Sequence, residues 1–413
     1  MLRNYLKTAW KVLQRRRFFT AVSLFGIALT LAVLTLVAAL FDQTLAAAPP
    51  EVNMDRTIGI YFAEMSGETR TWNGSPGYRL LDQYARNLPG VEQMAVTSNF
   101  GQVTSYVNGT KIKSYLKRTD AAFWQVLAFH FLEGGPYNAD DVGHGRLVAV
   151  INATTRERFF GGASALGRSI EADGQTFTVT GVVDDVPMLR FVAFGDIWVP
   201  ITTAKSDSYK RELIGDFNGL FLLAPGTDPD AVRAEFRSRL SSVQFPDPKT
   251  FNKLHATPET QFDTVARMLF GGRGEGDYGT RLRLALLLGT LLFMLLPAIN
   301  LVNLNVSRIL ERASEIGVRK AFGASSWTLV GQFLVENLLL TLLGAVLGVA
   351  VAAGGLTLIN QSGLLPYVHL GINVRVLGWG VALATLFALV SGVYPAWRMS
   401  RLHPVDALRG GAR

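Results

Sequence analysis

FFTAVSLFGIALTLAVLTLVAALF, residues 18–41, runs for 24 residues without a charge. A helix needs roughly 20 apolar residues to cross the ~30 Å hydrocarbon layer of a bilayer. Three further stretches of this kind lie in the last third of the chain. LALLLGTLLFMLLPAINLVNLNV, residues 284–306, carries no charge over 23 residues. Trp327–Gly354 carries one, Glu336, and Val376–Tyr394 carries none, with Trp379 and Trp397 near its ends as interfacial anchors. Between the first and second stretches lie about 240 residues of ordinary mixed composition. This distribution describes four transmembrane α-helices holding one large water-exposed domain, and it excludes most soluble-enzyme classes. Arg15, Arg16 and Arg17 before the first stretch and Ala46-Ala47-Ala48 after it have the layout of a secretory signal. A signal's apolar region spans only ~7–15 residues, so an uncleaved helix is expected.

The net charge of +8 suggests nucleic-acid binding until the charges are placed. Residues 1–17, 307–326 and 395–413 together hold 14 basic and three acidic side chains, whereas 42–283 hold 25 basic and 28 acidic. The basic excess therefore sits in short segments beside the apolar stretches. The positive-inside rule then puts both termini and the 307–326 loop in the cytoplasm and the large domain outside, with no nucleic-acid partner. Cysteine is absent, so the outer domain relies on its apolar core.

The expected organisation is an amphipathic cytoplasmic helix (1–17, with Leu2, Tyr5, Leu6, Ala9, Trp10 and Leu13 on one face, lying on the inner membrane surface), spans at 18–41, 283–306, 327–354 and 376–394, a domain at 42–282, a cytoplasmic loop at 307–326, a short outer loop at 355–375 and a tail at 395–413. The fold class is a membrane protein with a large α/β (α+β) extracytoplasmic domain. Strand–helix–strand patterns occur twice in that domain and can share one sheet. The first is Thr57–Phe62, a helix begun by Ser75-Pro76, then Val91–Ser98. The second is Phe217–Leu223, a helix capped by Asp228-Pro229, then Phe251–Thr257. Asp120 starts a short helix over Ala121–Ala128. Residues 130–215 read as an inserted, mostly β subdomain: Leu147–Ile151 is strand-like, Thr155–Phe160 helical, and Gln175–Val183 alternates Phe177 and Val179 against Thr176, Thr178 and Thr180. Gly271–Gly279 reads as a flexible tether back to the membrane.

Catalytic signatures are missing. No GxxxxGK[ST] phosphate-cradling loop, no HExxH and no G-x-S-x-G elbow occurs, and the five histidines lack metal-ligand spacing. Asp140-Asp141 and Asp184-Asp185 read as solvated surface acids rather than a metal site. The chain is expected to be no enzyme, with no cofactor of its own and no metal. In the second span, Asn300 and Asn303 share a face below Pro297 and suit interhelical hydrogen bonds. Gly344 and Gly348 form a small-xxx-small face in the third span, suited to a close helix contact, and Glu336 is the one intramembrane charge, suited to packing or pairing.

SRILERASEIGVRKAFGASSWTLVGQFLVENLLLTLLGAVLGVAV, residues 307–351, resembles the signature of the MacB/LolC/FtsX-type permeases of ABC systems. SGVYPAWRMSRLHPVDAL (391–408) is similar to that family's closing motif, and LVAVINATTRERFFGGASALGRSIEADGQTFTVTGVVDDVP (147–187) to its periplasmic core domain. The resemblance implies a porter-like two-part βαβ subdomain and a coupling helix in the 307–326 loop. There, Ile316 and Val318 form an apolar strip among Glu315, Gly317, Arg319 and Lys320, and Gly323 acts as a helix stop. It also implies two copies of an ABC ATPase that bind ATP and Mg, a second permease chain as homodimer or heterodimer, and mechanotransmission across an inner membrane. Macrolide exporters of this type carry the ATPase ahead of the first span; only 17 residues precede it here, so a separate ATPase chain is expected. Efflux of a small molecule or peptide with a periplasmic adaptor and an outer-membrane duct is the leading function. Lipoprotein release and regulation of a periplasmic enzyme are the alternatives.

Overall fold

The computed structural model describes residues 2–15, 17–107, 109–274, 276–311 and 326–400. They fall into a helical unit, drawn from residues up to Asp42, Leu284–Leu364 and His369 onward, and an outer unit, Gln43–Arg283 with Leu365–Val368.

Helices Arg17–Leu45, Tyr278–Glu311, Ser326–Gln361 and Val374–Ser400 contain the four apolar stretches, and each holds a segment long and apolar enough to cross a membrane. Ile27, Leu31, Met294, Leu340, Ala345 and Ala388 pack together in the helical unit. Gly344 and Gly348 are buried against the first of these helices. A Cβ on Gly344 would lie 2.7 Å from Ile27 Cγ2, and one on Gly348 3.0 Å from Leu31 Cβ. Backbone proximity of this kind replaces the hydrophobic drive that lipid cannot supply. The N-terminal helix, Leu2–Arg15, turns Ala9, Val12 and Leu13 into the unit and leaves Leu6 and Trp10 exposed; Thr20 Oγ1 donates to the carbonyl of Leu13 (3.1 Å). Asn303 is exposed, while the side chains of Pro297 and Asn300 lie outside the described ones.

The outer unit is built on strands β1 (Thr57–Ile60), β2 (Ala63–Ser66), β3 (Thr71–Pro76), β4 (Val91–Ser98), β5 (Gly101–Val107), β6 (Thr110–Thr119), β7 (Phe131–Gly134), β8 (Val148–Asn152), β9 (Ser169–Ala172), β10 (Gln175–Val183), β11 (Ile197–Pro200), β12 (Ile214–Gly215), β13 (Phe217–Leu223) and β14 (Lys253–Ala256). Among the described residues, ten strands form one sheet, ordered β1-β13-β4-β6-β11-β8-β10-β7, with β5 on β6 and β9 on β10. Strands β12-β3-β2-β14 form a second. Every residue of β13 is buried, which a strand between two neighbours requires, and β10 alternates buried Phe177 and Val179 with exposed Thr176 and Thr178.

The stretch 130–215 does not stand apart from the first sheet. β7–β11 continue it, joined to β4 through β6 at a single ladder pair, Thr97 with Thr119. Two local expectations differ from the structure. Ser75 and Pro76 end β3 opposite Gly215 and Ile214, and Ser75 Oγ is used by Asn99 Nδ2 (2.9 Å); the helix begins only at Tyr78, after Gly77. The closing strand β14 pairs with β2, so the two strand–helix–strand patterns share β1, β4 and β13 but not β14. Two other caps follow the sequence. Asp120 Oδ1 accepts from Phe123 N (3.1 Å), and Asp228 caps Pro229–Leu240 through Asp230 N; Asn152, not singled out by the sequence, caps Ala153–Phe160.

Candidate functional site: polar joints within the outer unit

The residues expected to couple to an ATPase, Glu315, Ile316, Gly317, Val318, Arg319, Lys320 and Gly323, lie outside the described residues. Glu336 is described and fully buried. It accepts from Gln332 Nε2 (3.2 Å), one turn away, and the adjoining Asn337 reaches the Ala388 carbonyl (3.5 Å). This polar layer inside the helical unit ties together neighbouring helices.

Three segments of the outer unit adjoin the long helices in the chain: 43–51 after the first, 259–278 before the second, and 365–368 between the third and fourth. Each is held by buried polar groups. Arg190 is 4% exposed and reaches the first segment twice, through an ion pair from Nη1 to Glu51 Oε2 (3.0 Å) and a hydrogen bond from Nη2 to the Ala46 carbonyl (2.9 Å). Burial pushes the Glu51 carboxyl above its ordinary range, against the pull of Arg190. Lys117, on β6, is 1% exposed and donates to the carbonyls of Phe191 (2.9 Å) and Val192 (2.6 Å), and burial brings its ammonium down to about 7.

At 365–368, Tyr367 has φ 58°, in the left-handed region that a bulky residue rarely adopts. Its hydroxyl donates to Asp196 Oδ1 (2.6 Å), and the carbonyl of Pro366 accepts from Met188 N (3.0 Å). Asp196 also accepts from Asn152 Nδ2 (3.1 Å) and from Tyr115 N (2.8 Å). Burial raises the carboxyl of Asp196, and burial and that same carboxylate raise the phenol of Tyr367, so the phenol stays a donor.

At 259–278, Arg267 pairs with Glu259, donates to the Gly274 carbonyl (2.9 Å) and lies over the rings of Phe62 (4.9 Å) and Tyr278 (4.6 Å). The Tyr278 hydroxyl closes the turn on the Arg273 carbonyl (2.8 Å). Residues 271–279, expected to be a loose tether, are therefore pinned over 271–274 and 276–279.

The joints at 43–51 and 365–368 meet on one irregular segment, 186–196, which supplies Met188, Arg190, the Phe191 and Val192 carbonyls and Asp196. Internal turns brace it, with Ala193 N and Phe194 N donating to the Arg190 carbonyl (3.0 and 2.8 Å) and Trp198 Nε1 to that of Ala193 (3.2 Å). No group here is arranged as a nucleophile beside a base. The arrangement is one of buried charges with fixed partners, which sliding would strand away from water. The sequence reading named none of Glu51, Lys117, Arg190, Asp196 or Tyr367. One signal was available, a lone arginine inside the apolar run MLRFVAF (188–194).

Comparison with known proteins adds to this geometry. Residues 20–239 match the family described as MacB-like periplasmic core domain, and residues 287–404 the FtsX-like permease C-terminal family. A pyoverdine export ATP-binding/permease protein, PvdT, of Pseudomonas syringae is 24% identical over 98% of this chain, and the chain spans 59% of that relative's length. The uncharacterized ABC transporter permease YknZ of Bacillus subtilis is 24% identical over 86% of this chain and 85% of its own. The crystal structure of the periplasmic region of MacB from Actinobacillus actinomycetemcomitans is 15% identical and covers 53% of this chain and 94% of its own, with a TM-score of 0.38.

Proposed function

The chain belongs to the MacB/FtsX-type ABC transporter permeases, as a multi-pass membrane protein with a large extracellular domain, and from that premise we propose that it relays movement driven by a partner ATPase into that domain for export. The carrying observation is segment 186–196. It grips both the chain leaving the first long helix and the short stretch between the third and fourth. Displacement of either stretch is thereby passed to β6 and β8, which carry that segment's partners Tyr115, Lys117 and Asn152 in the large sheet.

In this reading the partner ATPase binds ATP and Mg, and two copies seat against the 307–326 loops of a permease dimer. Glu315, Ile316, Arg319 and Lys320 make that contact, with Ile316 as anchor. Both termini are cytoplasmic and the membrane is a bacterial inner membrane, by the distribution of basic residues. Export rather than lipoprotein release is favoured by the named function of the pyoverdine relatives, and it brings with it a periplasmic adaptor and an outer-membrane duct.

The test is co-purification of the tagged full chain from native membranes, with export of candidate small molecules measured alongside. Ile316→Asp combined with Arg319→Glu should lose the ATPase. Tyr367→Phe should keep the ATPase and lose export. Retention of the ATPase by the first variant would sink the loop assignment, and normal export by the second would sink the relay.

A further inference from the structure

The helix Gln261–Leu269 was not legible as an element of its own, and its two sides differ sharply. Thr260 caps it by accepting from Asp263 N (3.1 Å), and Gln261, Thr264, Ala266 and Arg267 are buried in the outer unit. The next three residues are apolar and face outward: Met268 is 60% exposed, Leu269 63% and Phe270 46%. Single exposed apolar side chains occur elsewhere in the outer unit, such as Trp72 and Tyr106, but three consecutive ones in water are costly, at about 25 cal/mol per Å² left exposed.

Their position says what covers them. The preceding residue, Arg267, lies over the ring of Tyr278, and Tyr278 is the first residue of the helix whose opening 18 residues, Tyr278–Leu295, form a candidate span. The backbone confirms the turn: Gly271 N donates to the Met268 carbonyl (3.2 Å) and Gly272 N to that of Arg267 (2.9 Å), folding the chain back beneath the patch. Met268–Phe270 are therefore held at the level where a membrane span begins. Three arginines lie there, and a neighbouring acid, Asp277, caps Thr280 N. Arg281 lies 5.1 Å from the Tyr278 ring and Arg283 5.5 Å from that of Phe262, and Arg273 is exposed. Apolar side chains beside arginines and a tyrosine at the head of a span are the composition of a membrane interface, where the apolar groups enter the acyl boundary and the guanidinium groups meet lipid phosphate.

We propose that Met268, Leu269 and Phe270 insert into the phospholipid interface on the outer face of the membrane, with Arg273, Arg281 and Arg283 on lipid phosphates. The contact makes this corner of the outer unit a fixed foot on the bilayer. The proposal needs only the membrane-spanning assignment and stands or falls separately from the ATPase partner.

The chain contains no cysteine, so Leu269→Cys and Met268→Cys each give one labelling site in the full-length protein, reconstituted in phosphatidylethanolamine/phosphatidylglycerol nanodiscs. With an environment-sensitive fluorophore on either site, emission should shift to the blue. Lipids carrying a spin label near the top of the acyl chain should quench most of it, and lipids labelled near the chain end far less. Ser238→Cys, exposed on the helix Pro229–Leu240, supplies the solvent control and should be unaffected. Water-like emission at both 268 and 269 would overturn the proposal. A blue shift that neither lipid quenches would also overturn it, because a protein surface would then cover the patch.

Discussion

Arg190→Met removes a guanidinium whose two hydrogen bonds reach Glu51 and the Ala46 carbonyl while leaving a side chain of similar length in place. Both partners of the ion pair are nearly inaccessible, with side chains 5% and 4% exposed. Truncating one partner of a buried pair costs about 3–5 kcal/mol, because the other charge is stranded without water. For a domain of 150–250 residues, 1 kcal/mol moves the melting temperature by about 2–4 °C. The outer unit is about that size, so its transition should fall by about 6–20 °C. Trp198, buried and bonded to Ala193 in the same segment, is a local reporter, and fluorescence-detected melting of the full chain in detergent is the assay. Glu51→Gln should cost less, because burial already raises this carboxyl and favours its neutral form. The double variant Glu51→Gln/Arg190→Met should be more stable than the sum of the two losses predicts, since the stranded carboxylate is gone. A fall below about 2 °C for Arg190→Met, or strict additivity in the cycle, would refute the buried-node argument.

Lys117 gives a pH signature. Burial lowers its folded-state value from 10.5 to about 7, so between those values the unfolded chain holds a proton that the folded chain has lost. Stability from this group therefore rises as pH rises from about 7 toward 10.5 and is flat below about 7, with a slope of at most about 1.4 kcal/mol per pH unit. Lys117→Met should abolish that rise in melting temperature across the window; an unchanged slope would show that Lys117 titrates normally. Gly344→Leu should destabilise the helical unit by about 1–3 kcal/mol, because its Cβ would meet Ile27 Cγ2 at 2.7 Å. Ile27→Ala should restore part of the loss in detergent thermostability assays, and failure of that rescue would place the clash elsewhere.

What was legible in the sequence follows from how each element is encoded. The long helices are written in composition, since a segment that must be apolar on every side leaves a run of about twenty residues or more with at most one charge. β10 was legible by alternation, which marks one buried face, and β13 as a mostly apolar run interrupted at Asn218 and Gly219, which marks two. The β2–β3 pair and the long β5–β6 hairpin were missed. Gly101–Val107 and Thr110–Thr119 carry lysines and serines whose burial is decided by neighbours distant in the chain. Ser105 Oγ, for example, is satisfied by the Glu171 carbonyl at 2.6 Å.

The joints were illegible for a deeper reason. Lys117 is written as one more basic residue in YLKR, and only the carbonyls of Phe191 and Val192, more than seventy positions away, make it a buried strut. Tyr367 reads as a loop aromatic until Asp196 is placed against its hydroxyl. A group whose partners are backbone carbonyls and single carboxylates from remote segments leaves no periodicity and no motif. Such groups are also the ones that can fix how a strain is passed on, because an apolar contact tolerates sliding and a buried ion pair does not. The proposed coupling loop is legible because its resemblance is carried by one continuous stretch, residues 307–326. The proposed relay is not, because it rests on tertiary contacts, Arg190 with Glu51 and Tyr367 with Asp196.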